Sequence, residues 1–174
     1  MKFFRQVRFV SLAAAIIAVL AALGTLSAHH RSVAALTAKN EAILSQGKAF
    51  DAYNRYEAKQ IRYTIYQALL AANVTHAPPA ISRLESVARS EQQSSPAILA
   101  QGEALEAAAT ADEEHSETLM QSYETLQFAT TFFEVAIVFV SLAALTNTVL
   151  FFPVGCLSAL VGIVLFSIGL VAGR

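Results

Sequence analysis

FATTFFEVAIVFVSLAALTNTVLFFPVGCLSALVGIVLFSIGLVAG, residues 128–173, decides the fold, because Glu134 is its only charged residue. The stretch contains two apolar blocks, at residues 128–150 and 152–172, and each is close to the ~20 residues that a helix needs to cross a bilayer. Pro153 suits the first turn of the second helix. The stretch therefore predicts two transmembrane helices that form a tight hairpin.

A third apolar block, at residues 9–28, follows Lys2, Arg5 and Arg8. A cleaved signal peptide and an uncleaved anchor both combine basic residues with an apolar run. This run is longer than the about 7–15 apolar residues of a signal peptide, and its end lacks the small residue that a cleavage site prefers at its −3 position. We therefore expect residues 1–28 to form a basic stub and the first transmembrane helix.

The composition of the chain excludes several classes of protein. Apolar residues make up 55% and charged residues 14%, which is too apolar for an ordinary soluble protein. The net charge of −1 argues against binding of nucleic acid. A single cysteine, Cys156, excludes an intramolecular disulfide and any metal or redox motif built from several cysteines.

Two arrangements of metal-binding residue types occur, and neither predicts a site. His29 and His30 are adjacent, so their side chains point about 100° apart on a helix. Asp112 and His115 have a spacing found in di-iron bundles, but such sites need a second copy of the motif on a facing helix. No phosphate-binding loop or nucleophile motif occurs either, so we predict no catalytic residue, metal site, cofactor or enzymatic activity.

Residues 29–127 predict a helical soluble domain between the first and second spans. Helix formers without proline carry the first helix to about residue 72, and the proline pair within residues 73–79 ends it. A short helix is expected at about residues 80–93. Ser95 as N-cap and Pro96 in the first turn then predict a long helix from about residue 96 that runs into the second span.

Charge and seven-residue repeats predict that the two long helices pair. Residues 29–72 hold six Lys/Arg and three Asp/Glu, or +3, whereas residues 73–126 hold two and nine, or −7. The repeats are Ile98, Leu105, Asp112, Leu119 and Leu126 with Gly102, Ala109, Ser116 and Tyr123 on the returning helix, and Leu36, Ile43 and Phe50 on the outgoing one. The fold class is thus predicted to be all-α, with three transmembrane helices and a coiled-coil helical hairpin between spans 1 and 2.

Residues 50–70 carry two stripes on different sides of one helix. The apolar stripe consists of Phe50, Ile61, Ile65 and Leu69, and the other, our candidate interaction surface, consists of Tyr53, Arg55, Tyr56, Lys59, Tyr63 and Tyr66. We expect both sides to be covered, the second by residues 80–93 or by another subunit. A ligand groove is the alternative, but Tyr is favoured at interfaces and no binding motif occurs, so we favour packing.

Small residues in the spans predict close packing of helices. Gly155, Gly162 and Gly169 recur every seven residues in the third span, and Gly173 completes a G-x-x-x-G pattern. The surface expected to oppose these glycines is the alanine-rich face of the first span, with Ala14, Ala18, Ala21 and Ala22.

Glu134 is an ionisable residue within the second span, which makes it a functional candidate. It lies near the start of the span, where a protonated or snorkelling carboxyl bonded through Thr130 or Thr131 is the favoured interpretation. A proton or cation relay would need partners, and neither other span offers an acid, a base or a histidine.

Positive charge predicts the orientation of the chain in the membrane. Lys2, Arg5 and Arg8 precede the first span, and only Arg31 and Lys39 follow it closely. By the positive-inside rule, the N-terminus is cytoplasmic and the soluble domain is periplasmic or exterior.

The segment NRYEAKQIR, residues 54–62, resembles the bacterial membrane proteins of domain-of-unknown-function family 4337. The His29–His30 pair, the acidic returning helix and the closing hairpin with FEVAI at residues 133–137 share the resemblance. It implies a multi-pass protein of the bacterial inner membrane with three spans and no established activity.

Together these features favour an interaction protein: a membrane-anchored helical scaffold that self-associates or binds another membrane or periplasmic protein. The lipid bilayer is its first expected partner. The alternative function is a small transport or channel subunit that uses Glu134.

Overall fold

The computed structural model describes residues 2–72, 77–146 and 150–173, with side chains from residue 10 onward. They form three α-helices, α1 (Lys2–Ala71), α2 (Pro78–Thr146) and α3 (Phe151–Ala172), and no strand occurs in these ranges. The predicted all-α class is confirmed. Residues 73–76 of the predicted break, loop residues 147–149 and the side chains of Lys2, Arg5 and Arg8 lie outside the described part.

All three helices are long and apolar enough to cross a bilayer. In the most apolar stretch of each helix, 17%, 28% and 22% of the residues are buried within the protein, so most side chains there face outward. Outward-facing apolar side chains are favourable in lipid, which has no water to exclude. The helices are therefore compatible with a multi-pass membrane protein.

The predicted short helix at residues 80–93, with a break before Pro96, is wrong. Helix α2 runs through Pro96 without interruption. The hydroxyl of Ser95, predicted as an N-cap, instead donates to the carbonyl oxygen of Glu91 one turn back at 2.7 Å, and Ser94 donates to Ser90 at 2.8 Å. Proline at position 96 removes the backbone donor to the carbonyl oxygen of Gln92, and the serine hydroxyls bond to the two carbonyl groups before it; Ser95 is itself buried.

The chain divides into two compact units, residues 1–38 with 114–174, and residues 39–113. The first unit has an apolar core to which all three helices contribute: Ile17 and Ala21 from α1, Ala129, Phe133, Ala136 and Val140 from α2, and Ala159 from α3. The ring of Phe133 is fully buried and meets Phe166 edge-on, with ring centroids 6.4 Å apart.

The second unit, residues 39–113, is a pair of helical segments that bury small residues. Ala42, Ala49 and Ala52 of α1 are buried, as are Ala88, Ser95, Gly102 and Ala109 of α2. The expectation that Leu36, Ile43 and Phe50 belong to the paired face is wrong, because these side chains are 56%, 57% and 61% exposed. Alanines one position earlier take their place, since small side chains let two backbones approach closely.

Candidate functional site

The candidate interaction surface begins at Tyr53, which contacts α2 of its own chain. A methyl group on Gly102 would lie 3.1 Å from Cε1 of the Tyr53 ring, so the ring fills the space that glycine leaves. The Tyr53 hydroxyl donates to a carboxylate oxygen of Glu106. This hydrogen bond raises the pKa of Tyr53 above 10.0, with desolvation and the charges of Glu106 and Glu103 as smaller causes.

Lys59 is the second member of this surface that contacts α2. Its Nζ lies 2.7 Å from Oε2 of Glu91, and Nη1 of Arg62 lies 3.4 Å from Oε1 of the same carboxylate. The Glu91 side chain is only 13% exposed. The hydrogen bond from Lys59 lowers the pKa of Glu91 below 4.5, and the charges of Lys59 and Arg62 add to this against the opposing effect of desolvation.

The remaining members of the surface differ in exposure. Tyr56, Tyr63 and Tyr66 are half-buried, whereas Arg55 is exposed. The tyrosine-rich arc thus supplies contacts within the chain through Tyr53 and Lys59.

The apolar stripe on the other side of α1 is mostly exposed. Phe50, Ile61 and Ile65 are 61%, 59% and 51% exposed, and Leu69 is half-buried. The expectation that both sides are covered is met within the chain only for the second stripe, which contacts residues 80–93 through the Lys59–Glu91 pair. The signal that identifies the inner face is the set of alanines beside the tyrosines, Ala42, Ala49 and Ala52.

The predicted charge pairing between the two long helices is present in the second unit. Lys39 pairs with Glu113, and Lys59 and Arg62 pair with Glu91, each joining α1 to α2. The partners of Lys39–Glu113 are 46% and 40% exposed, so that pair contributes little to stability. The less exposed Lys59–Glu91 pair has the better hydrogen-bonding geometry.

The glycines of α3 pack against α2 in the first unit. A methyl group on Gly155 would lie 2.7 Å from Cγ2 of Val140, one on Gly162 2.7 Å from Cε1 of Phe133, and one on Gly169 2.8 Å from Cγ of Leu126. Each glycine therefore receives a large α2 side chain, and both sets recur every seven residues. The hydroxyl of Ser158 also donates to the carbonyl oxygen of Phe132 at 2.8 Å.

The expectation that alanines of the first span oppose these glycines is wrong. Ala21 is buried and Ala14 half-buried against the core of the first unit, but Ala18 and Ala22 are exposed. The glycines contact Val140, Phe133 and Leu126 instead. Large side chains fit into the spaces left by glycine, whereas alanines opposite glycines would leave gaps.

A polar cluster at the end of α3 was not predicted. Arg31 of α1 donates to the carbonyl oxygen of Gly173, and Ser122 of α2 donates to that of Gly169 at 2.7 Å. A second guanidinium nitrogen of Arg31 lies 3.5 Å from the carbonyl oxygen of Leu170. Carbonyl groups at a helix C-terminus lack hydrogen-bond partners within the helix and attract positive charge. The Arg31 guanidinium donates hydrogen bonds to these groups and places a positive charge beside them.

Glu134 lies on the exposed surface of α2. The hydroxyls of Thr130 and Thr131 donate to carbonyl oxygens of their own helix, at Leu126 and Gln127, each at 3.0 Å. Neither threonine is therefore the expected partner. Within residues 10–72, 77–146 and 150–173, Glu134 has no hydrogen bond or ion pair, and it faces away from the core of its unit.

Among the residues that the structure describes, no group of three His, Cys, Asp or Glu side chains is placed to hold a metal ion. Cys156 is free and half-buried.

Comparison with known proteins bears on the whole chain. No curated protein and no solved structure matches it. A family model described as a domain of unknown function, DUF4337, matches residues 6–172, a range that includes all three apolar segments and the residues between them. The resemblance drawn from residues 54–62 is therefore confirmed, and the chain belongs to the DUF4337 family.

Proposed function

We propose that this protein is a membrane-anchored helical scaffold that self-associates. The observation that carries the proposal is the exposed apolar stripe on α1 within residues 39–113. Its large side chains, among them Ile43, Phe50 and Ile61, are each more than half exposed, although they lie beyond the most apolar part of the chain. Clustered apolar side chains of this kind on a water-facing helix mark an interaction site.

The second unit is suited to present such a surface rigidly. We infer that its helices pair as an antiparallel coiled coil, which buried small residues at seven-residue intervals and three ion pairs between α1 and α2 support. Because the inner face of α1 is occupied by this pairing, the apolar stripe on its outer face is left for a partner.

We further propose that the scaffold resides in a bacterial inner membrane with residues 39–113 on the periplasmic side. The basic residues before the first span support this orientation. Labelling of an exposed position such as Lys48→Cys by a membrane-impermeant maleimide in intact cells tests it, because a cytoplasmic hairpin would stay unlabelled until the cells are opened.

Native mass spectrometry of the full chain in mild detergent, together with amine-reactive cross-linking in membranes, tests the scaffold proposal. We expect oligomers of the chain in both experiments. If the chain is monomeric and without a protein partner in both, the proposal is refuted. The transport alternative receives no support from the position of Glu134 on the outer surface of α2.

A further inference from the structure

The outer stripe of α1 is the largest apolar surface in the second unit. It consists of Ile43, Leu44, Phe50, Ile61 and Ile65, which are 57%, 58%, 61%, 59% and 51% exposed. At about 100° per residue, these side chains fall within an arc of about 120° and extend over about 33 Å of helix. Asp51 and Asn54 lie in the same arc between Phe50 and Ile61, so the stripe consists of one apolar patch at residues 43–50 and another at residues 61–65.

Its size fits a specific interface between two copies. Five side chains that are each more than half exposed leave roughly 500 Å² of apolar surface, which is a typical size for a functional patch. Two such stripes pressed together, with their polar margins, reach the about 1,000 Å² that a specific protein interface needs.

Gly47 lies within the same arc and gives a second, independent indication. A methyl group added there would meet nothing within 4 Å, whereas each of the other six glycines has atoms of a neighbouring helix within that distance. Glycine in a helix interior is unfavourable unless close backbone approach requires it. In this chain, glycine elsewhere marks helix contacts, whereas Gly47 is exposed and its surface is open to a second helix.

Membrane anchoring fixes how a second copy would meet the stripe. Two copies inserted in one bilayer in the same orientation hold their α1 helices parallel and at the same height, so each stripe residue faces its own equivalent. Asn54 lies at the centre of the arc and is exposed. In coiled coils, an Asn at a seam position helps to set the register between helices.

We propose that a second copy of this chain docks on the outer stripe of α1, parallel and in register, with Gly47 at the point of closest approach and Asn54 opposite the partner's Asn54. This inference rests on the proposed scaffold function and identifies the surface and the partner. Each two-helix unit would then use α2 on one side of α1 and a second α1 on the other.

Disulfide cross-linking in membranes tests the geometry. In a Cys156→Ser background, Asn54→Cys places a thiol on the seam, and Lys48→Cys places one about 120° away on the same exposed helix as the matched control. Only a thiol on the seam meets its equivalent at disulfide distance. We expect Asn54→Cys to form the covalent dimer at least about tenfold faster, and adding Phe50→Glu to reduce that rate about tenfold while the helical content is unchanged.

The outcomes separate this inference from the function on which it rests. If amine cross-linking recovers a dimer but Asn54→Cys links no faster than Lys48→Cys, the stripe is not the interface and only this inference is overturned. If neither chemistry recovers an oligomer, the scaffold proposal fails with it. If no dimer forms and the Asn54→Cys thiol is shielded from a water-soluble maleimide, the bilayer surface covers the stripe and the inference is also overturned.

Discussion

Gly162→Ala and Gly47→Ala are the same substitution, made at a tightly packed position and at an open one. At Gly162 the added methyl would lie 2.7 Å from Cε1 and 2.8 Å from Cδ1 of Phe133, and 3.2 Å from the carbonyl oxygen of Ala129. The Phe133 ring is fully buried and held by Phe166, and the Ala129 oxygen belongs to a helix backbone, so neither neighbour moves easily. At Gly47 the methyl meets nothing within 4 Å.

The magnitudes follow from two opposing effects. Overpacking a tight site destabilises by about 1–3 kcal/mol. Replacing a mid-helix glycine by alanine stabilises by about 0.5–1 kcal/mol through helix propensity. We therefore expect Gly162→Ala to lower the free energy of unfolding by about 0.5–2 kcal/mol and Gly47→Ala to raise it by about 0.5–1 kcal/mol.

Reaction of a fluorogenic maleimide with Cys156 during heating in detergent is a suitable assay, because Cys156 is the only cysteine and is half-buried. A chain of this length shifts its melting temperature by about 2–4 °C per kcal/mol, so Gly162→Ala should melt about 1–8 °C lower and Gly47→Ala about 1–4 °C higher. The measurement needs dilute, monomeric protein, so that a dimer through Gly47 does not contribute. Equal upward shifts at both positions would refute the packing argument for α3.

Three further predictions concern Arg31, Pro96 and Glu91. Arg31→Ala removes hydrogen bonds to carbonyl oxygens at the end of α3 and should lower the free energy of unfolding by about 1–2 kcal/mol in the same assay. Substitution of the exposed Arg55 by alanine is the control and should change this free energy by less than about 0.5 kcal/mol. Equal effects of Arg31→Ala and Arg55→Ala would contradict the role of Arg31. Pro96→Ala restores a backbone donor inside a continuous helix, so stability and helical content by circular dichroism should rise, and a fall in helical content would show that the proline ends a helix after all. The pKa of Glu91 is lowered in the folded chain, so its contribution to stability is present above pH 4.5 and is lost as the pH falls through the folded value. Glu91→Gln should therefore reduce the loss of stability on acidification, and the exposed Glu103→Gln should not; indistinguishable acid transitions in the two variants would count against the Lys59–Glu91 pair.

The three helices long and apolar enough to cross a membrane, and the all-α class, could be predicted because they follow from long apolar blocks. The end of α1 near residue 72 was also predictable, since two consecutive prolines cannot lie in the interior of a helix. The position of Pro96 inside a helix could not be predicted, because a proline that directly follows serine starts a helix more often than it lies inside one. Ser94 and Ser95, which suggested the start of a new helix, instead bond through their hydroxyls to carbonyl groups of the preceding turn.

The paired face of α1 could not be chosen from spacing alone. Ala35, Ala42 and Ala49 share the seven-residue interval of Leu36, Ile43 and Phe50, so both sets fit a helical seam equally well. Hydrophobic reasoning selects the larger set, because burial of apolar area is the usual driving force. The structure buries the smaller set, and the Tyr53 ring beside these alanines fills the space that Gly102 leaves on α2.

The use of small residues in both units has different consequences in lipid and in water. In α3 the glycines face α2, and large side chains such as Leu157 and Leu160 are left 65% and 60% exposed. In the proposed membrane setting, lipid surrounds these side chains at no loss of free energy, because lipid tails are as apolar as leucine. In the same proposed setting, residues 39–113 lie in water, where Ile43 and Phe50 are left 57% and 61% exposed while the alanine next to each is buried. On this proposal, pairing by small residues completes the first unit and leaves the second with an apolar face for the proposed partner.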